Sequence, residues 1–83
     1  MKAVYFAWVR ERVGKSEEML APPPTVGTVA DLIGWLRDRG EGYEAAFADA
    51  GAIRAAIDQT HAKRDASIAG AREIAFFPPM TGG

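Results

Sequence analysis

The sequence predicts an α+β fold, a mixed sheet of four to five strands packed on one main helix. Three observations predict it. The most apolar runs lie near the two ends, at residues 2–9 and 72–77, where β-branched and aromatic residues continue without a breaker. Between them Val29, Leu32, Ile33 and Leu36 fall at i, i+3, i+4 and i+7, one stripe of an amphipathic helix. The remaining apolar runs are short, and one alternates as a half-buried strand does. At 83 residues this is one domain, with one helix to cover one sheet face.

Residues 2–9 read as the first strand. Ala3, Tyr5, Ala7 and Val9 take one face; Val4, Phe6 and Trp8 take the other. Both faces are apolar, which an antiparallel strand with one side in water does not show. Such a strand is central and covered on both sides, or it docks a partner through one side. Residues 10–15, with Gly14, read as a turn. Residues 16–21 read as a weaker strand, with Met19 and Ala21 to one side and Glu18 and Leu20 to the other, forming a hairpin with the first. Pro22-Pro23-Pro24 reads as a rigid loop.

Thr28 is placed as a helix N-cap, with Asp31 closing a short relative of the capping box. Gly34 costs this helix about 1 kcal/mol relative to Ala, and close approach to the sheet is one reason to keep it. Trp35 covers the edge of the stripe. Arg37 and Arg39 suit the dipole of the last turn, and Gly40 is placed as the C-cap. The Ala-rich stretch 43–50 adds a short second helix, stopped by Gly51. Residues 53–58 alternate, with Ile53, Ala55 and Ile57 on one face and Arg54, Ala56 and Asp58 on the other. A tight turn leads to a short strand at 60–63. In the polar connection 65–71 only Ile68 is a large apolar residue, placed as a plug for the core. The strand at 72–77 puts Ile74 and Phe76 on one face, Ala75 and Phe77 on the other. The most apolar strands, first and last, belong side by side at the centre. That is a β-grasp (ubiquitin-like) arrangement over residues 1–77. It leaves Val4, Phe6, Trp8 and Phe77 on the sheet face the helix does not cover.

Composition excludes several function classes. Hydrophobic content of 48% and charge of 25% are ordinary for a folded domain. A net charge of −1 gives no footprint for nucleic acid or an anionic membrane. With no Cys there is no disulfide framework, thiolate metal site or cysteine nucleophile. The N-terminal apolar stretch is broken too soon by charge for a secretion signal. No apolar run reaches the roughly 18 residues of a membrane span. The expected location is the cytoplasm. A metal site needs three or four converging ligands, and the single His61 has no such company; a surface position on a short strand is favoured for it. Ser16 and Ser67 have no evident base, and no phosphate-binding glycine loop occurs. Glu17-Glu18 and the pair Asp49 and Asp58 read as solvated acids, and Arg10-Glu11-Arg12 and Lys63-Arg64-Asp65 as wet, mixed-charge surface.

What remains is residues 78–83, Pro78-Pro79-Met80-Thr81-Gly82-Gly83, expected to form a flexible C-terminal tail. Two prolines stop the strand, since neither has an N–H to donate. Two readings stay open on composition: a loose end, or a thin stalk presenting the Gly83 carboxylate, with a reach of about 20 Å at roughly 3.3 Å per residue. A carboxylate is a poor electrophile until its oxygen becomes a leaving group. Adenylation by another protein would achieve that, and an amine or sulfur could then attack. Glycine keeps the stalk narrow enough to thread a channel, and proline lowers its entropy before insertion.

Ile74-Ala75-Phe76-Phe77-Pro78-Pro79-Met80-Thr81-Gly82-Gly83 closely resembles the end of the small subunit of molybdopterin synthase, the MoaD-type sulfur carrier. Tyr5-Phe6-Ala7-Trp8-Val9-Arg10-Glu11 with Val13-Gly14 is similar to that family's first strand and turn, and Ala55-Ala56-Ile57-Asp58-Gln59-Thr60 to its mid-chain strand. The diglycine alone is shared with ubiquitin-like modifiers and the thiamine sulfur carrier; Phe76-Phe77-Pro78-Pro79 points to the molybdopterin branch. The resemblance implies that a MoeB-type adenylating enzyme activates Gly83 with ATP and that a sulfur donor converts it to a thiocarboxylate. The tail, Pro78 to Gly83, then enters a MoaE-type large subunit and delivers sulfur to cyclic pyranopterin monophosphate. Two small and two large subunits would form a heterotetramer. The chain alone would be non-catalytic and bind no cofactor. Val4, Phe6, Trp8 and Phe77 would contact the partner, with His61 at the edge where many members place an apolar residue. Gly70-Ala71-Arg72-Glu73 stands where members often carry Gly-Asp, a difference in turn chemistry. The alternatives are a covalent protein modifier, a sulfur carrier for thiamine or tRNA thiolation, or a β-grasp interaction module with an incidental tail.

Overall fold

The computed structural model describes residues 1–79. Five strands, β1 (Lys2–Tyr5), β2 (Glu17–Met19), β3 (Arg54–Ile57), β4 (Thr60–Ala62) and β5 (Glu73–Phe77), form one sheet in the order β2-β1-β5-β3-β4. β1 and β5 are parallel neighbours at its centre, with Tyr5 opposite Phe76; the other pairings are antiparallel. This is the predicted β-grasp sheet.

Helix α2 (Val29–Arg37) is built as its sequence dictates. Thr28 Oγ1 accepts from the Asp31 amide at 3.1 Å, and Asp31 Oδ2 accepts from the Thr28 amide at 3.2 Å. The next free amides of its first turn, Val29 and Ala30, donate to the carbonyls of Ala66 and Arg64 at 3.0 and 2.9 Å, so the loop after β4 completes the cap. Val29, Leu32, Ile33 and Leu36 are all buried. Asp38 is the C-cap; Gly40 instead precedes α3 (Glu41–Phe47) as its N-cap, at φ +155°. Gly34 is exposed, with nothing within 4 Å of where its Cβ would stand, so no close approach to the sheet explains it.

One helix escaped the sequence reading. The first strand ends at Tyr5, not Val9, and α1 (Ala7–Val13) follows. Ala7 takes φ +51°, a left-handed conformation that breaks the extended run. Gly14 ends the helix at φ +91°, its amide donating to the Arg10 carbonyl, a conformation that favours glycine. β1 and β2 are therefore joined through a helix rather than a hairpin turn. Helix α3 packs against both α1 and α2. Gly42 permits this, since a Cβ there would lie 2.6 Å from the Arg12 carbonyl oxygen.

The core lies between the three helices and the sheet. Tyr5 stacks on Phe76 at 6.2 Å, and Phe47 meets Phe76 edge-on at 5.1 Å. Ile68 closes one end of the core. The β3–β4 turn places Asp58 and Gln59 at φ +48° and +70°. Asp58 is no free surface acid: Oδ1 accepts from the amides of Arg72 and Glu73, both at 3.0 Å, tying the hairpin to the start of β5.

Candidate docking face and carrier tail

The sheet face turned away from the helices carries the candidate site. Register puts Val4, Ala75, Ala56 and His61 in one row across β1, β5, β3 and β4. Alanine at the two middle positions makes a low floor. Phe77, next along β5 on the same face, rises beside it, and His61 meets Phe77 edge-on with centroids 5.5 Å apart. Phe6 stands at the opposite rim, 47% exposed. Its amide donates to the Phe76 carbonyl at 3.1 Å, which carries the β1–β5 ladder one residue past the strand. Phe6, His61 and Phe77 with Pro78 and Pro79 enclose an open, mostly apolar groove of about 620 Å³.

Four of the five candidate contact residues, Val4, Phe6, His61 and Phe77, thus occur together. Trp8 does not join them. It lies on α1, half-buried against the core, with the Arg12 guanidinium 4.4 Å from its ring centroid. The strand it was assigned to has already ended. Pro78 and Pro79 line the groove where the chain leaves β5. Met80, Thr81, Gly82 and Gly83 lie outside the described residues.

Away from the groove, Glu18 is also more than a solvated acid. It alternates with Leu20 toward the helix side of the sheet, and its side chain is 11% exposed. Oε2 accepts from the hydroxyls of Tyr5 and Tyr43 at 2.8 and 2.6 Å; Oε1 lies 3.3 Å from Arg39 and 3.6 Å from Lys15. Partial burial pushes its carboxyl up, but the two phenols, Arg39 and Lys15 together outweigh that and hold it below its ordinary value. Burial, then the bond to Glu18, pushes both tyrosine hydroxyls up. The cluster ties edge strand β2 to α3, and its residues are absent from the groove lining.

Among the described residues there is no group of three or more His, Cys, Asp or Glu placed to hold a metal ion, and no helix is long and apolar enough to cross a membrane. His61 is the one titratable side chain in the lining of the groove among the described residues.

The ThiS family matches residues 3–83. The chain belongs to the ThiS family. Among its relatives is the molybdopterin synthase sulfur carrier subunit of Escherichia coli (strain K12), 38% identical over 84 residues, covering 100% of this chain and 99% of that protein. Within the ThiS family this chain is of that MoaD type. Two solved structures share the fold. SAMP1 from Haloferax volcanii has a TM-score of 0.72 at 23% identity, covering 100% of this chain and 98% of its own. A Pyrococcus furiosus protein provisionally described as molybdopterin converting factor, subunit 1, has a TM-score of 0.73 at 23% identity, with 95% of each chain covered. At those identities the likeness to both is one of fold.

Proposed function

We propose that this chain is the sulfur-carrier subunit of a molybdopterin synthase and works with a large subunit that supplies the catalytic groups. The full-length identity of 38% to the Escherichia coli sulfur carrier subunit carries the reading. The geometry supports it: a mostly apolar groove sits beside the point where the chain leaves the central strand through Pro78 and Pro79.

In this reading Gly83 is the reactive position. Its carboxylate attacks the α-phosphate of ATP on a MoeB-type enzyme, releasing pyrophosphate and leaving an acyl-adenylate. A sulfur nucleophile displaces AMP to give the thiocarboxylate. The tail then enters a MoaE-type large subunit and transfers sulfur to cyclic pyranopterin monophosphate, in a heterotetramer of two small and two large subunits in the cytoplasm. Val4, Phe6, Phe77 and His61 are the docking contacts.

Intact mass spectrometry tests this directly. Incubation with the adenylating enzyme, ATP and a sulfur donor should raise the mass by the difference between one sulfur and one oxygen. A covalent adduct to a protein lysine would instead make the chain a modifier, and an unchanged mass would overturn both. As a second test, a variant carrying one untrimmed residue beyond Gly83 should fail to support dithiolene synthesis.

A further inference from the structure

The Phe6–Phe77 groove holds a group whose charge changes within the physiological range. Its described lining is otherwise alanine, phenylalanine and proline, with the neutral amide of Gln59. Histidine is the side chain that gains or loses a charge between about pH 5 and 8. In the free chain His61 is exposed, so water solvates either protonation state. A protein seated on the groove takes that water away. The edge-on contact with Phe77, 5.5 Å between centroids, lies within the chain and is the same before and after docking, so it does not set the sign of the effect.

Nothing facing the imidazole is placed to balance a positive charge. On β3, Ala56 stands directly opposite it, and Arg54, on the same face, stands opposite Phe77. Arg54 and Lys63, two residues beyond His61 in the chain, have the sign of an imidazolium. The carboxylates further across this face, Glu73 and Glu17, both pair with Lys2, at 4.0 and 2.9 Å. In the β3–β4 turn, Asp58 Oδ1 accepts from the amides of Arg72 and Glu73. His61 itself has no ion pair among the described residues.

We propose that docking on this groove is coupled to the protonation of His61: a partner surface that is apolar at this corner seats on the neutral imidazole and is disfavoured by the imidazolium. The inference rests on the docking reading given above and adds the control of that same site by pH. Covering a neutral ring costs its contacts with water. Covering an unpaired cation costs far more. Docking therefore lowers the affinity of the imidazole for a proton, and by linkage a proton lowers the affinity of the groove for its partner. Affinity is highest above the imidazole's titration and falls as pH drops through it.

The test is calorimetric titration of the full-length chain with the MoaE-type large subunit of the same organism, at about pH 7.5 and about pH 5.5. The parent should bind about tenfold more weakly in acid, the change expected when one histidine proton is excluded from the complex. Near neutrality, titrations in two buffers of different ionisation heat should show protons released on binding. His61→Leu should lose both the tenfold difference and this release. Arg54→Ala should keep the parent's pH dependence. Thermal melts at both pH values show that each variant is folded. The inference is overturned if the parent binds equally at both pH values, or if His61→Leu retains the parent's dependence. Tighter binding in acid would also overturn it, since a partner carboxylate would then meet the imidazolium. Failure of the parent and both variants to bind at either pH would instead overturn the docking reading on which it rests.

Discussion

The Tyr43 hydroxyl donates to Glu18 Oε2 at 2.6 Å, bridging 25 residues of sequence and tying helix α3 to the edge strand β2. Tyr5, from the central strand, donates to the same oxygen at 2.8 Å. One carboxylate therefore joins three elements. Its value held below the ordinary one sets the sign of its pH dependence: the stabilisation is fully present above about pH 4.3 and is lost as pH falls through the lowered folded value. Glu18→Gln should cost about 1–2 kcal/mol near neutrality, and the gap to the parent should narrow in acid. Denaturant melts across that pH range check this. The raised tyrosine hydroxyls act at the other end, contributing below about pH 10 and losing that contribution as pH rises.

Gly42→Ala brings a Cβ within 2.6 Å of the Arg12 carbonyl. The neighbour is backbone, so α1 and α3 must part. Overpacking of about 1–3 kcal/mol exceeds the roughly 1 kcal/mol gained in helix propensity. A net loss of about 1 kcal/mol should lower Tm by about 4–8 °C, measurable by thermal denaturation.

Gln59 holds φ +70° in the β3–β4 turn, where glycine is the unstrained choice. Gln59→Gly should raise stability by about 0.5–1 kcal/mol. Asp58→Ala, which removes the acceptor of two backbone amides, should lower it by about 1–3 kcal/mol. The pair of opposite changes in Tm would locate the strain at one position of the turn.

Phe6 is 47% exposed, and Phe77 is half-buried on the face away from the core. Under the proposed function, truncating either to Ala should weaken binding to the large subunit and to an adenylating enzyme by about 2 kcal/mol, roughly thirtyfold in Kd. For Phe6→Ala the accompanying loss of stability should stay below about 1 kcal/mol. Calorimetric titration against each partner, beside a thermal melt, separates the two effects.

Under the proposed function, deleting Gly83 should abolish sulfur transfer and leave Tm unchanged, since among the described residues the last member of the buried core is Phe76. A large drop in Tm would assign the tail a structural part instead.

Much of this architecture was legible. The capping box at Thr28 and the buried stripe of α2 are local signals, and the apolar character of the terminal strands correctly put them at the centre. The missed helix shows what local pattern lacks. Residues 5–9, Tyr5-Phe6-Ala7-Trp8-Val9, all favour or tolerate a strand, and nothing in them announces that Ala7 turns left-handed. Val9 and Val13 four apart, followed by Gly14 at a helix end, were the available signal. Losing that helix misplaced Trp8 and hid the need for Gly42, whose reason for being glycine is a carbonyl thirty residues earlier. The Glu18 cluster was hidden in the same way, although its parity with the buried Leu20 already pointed inward. Val4 and Phe77 stand on the sheet face that parity assigned them, and Phe6 follows just past the end of β1, because parity on a strand survives errors of length.

The segment that carries Pro78 and Pro79 is continuous with β5, which is flanked by hydrogen-bonded neighbours on both sides, parallel β1 and antiparallel β3. A pull along the tail therefore loads two ladders lengthwise, and their bonds must give together rather than one after another. An edge strand would peel under the same force. If the tail is handed to another protein as proposed, the pull falls on a strand held from both sides and not on an edge, so the carrier resists unravelling.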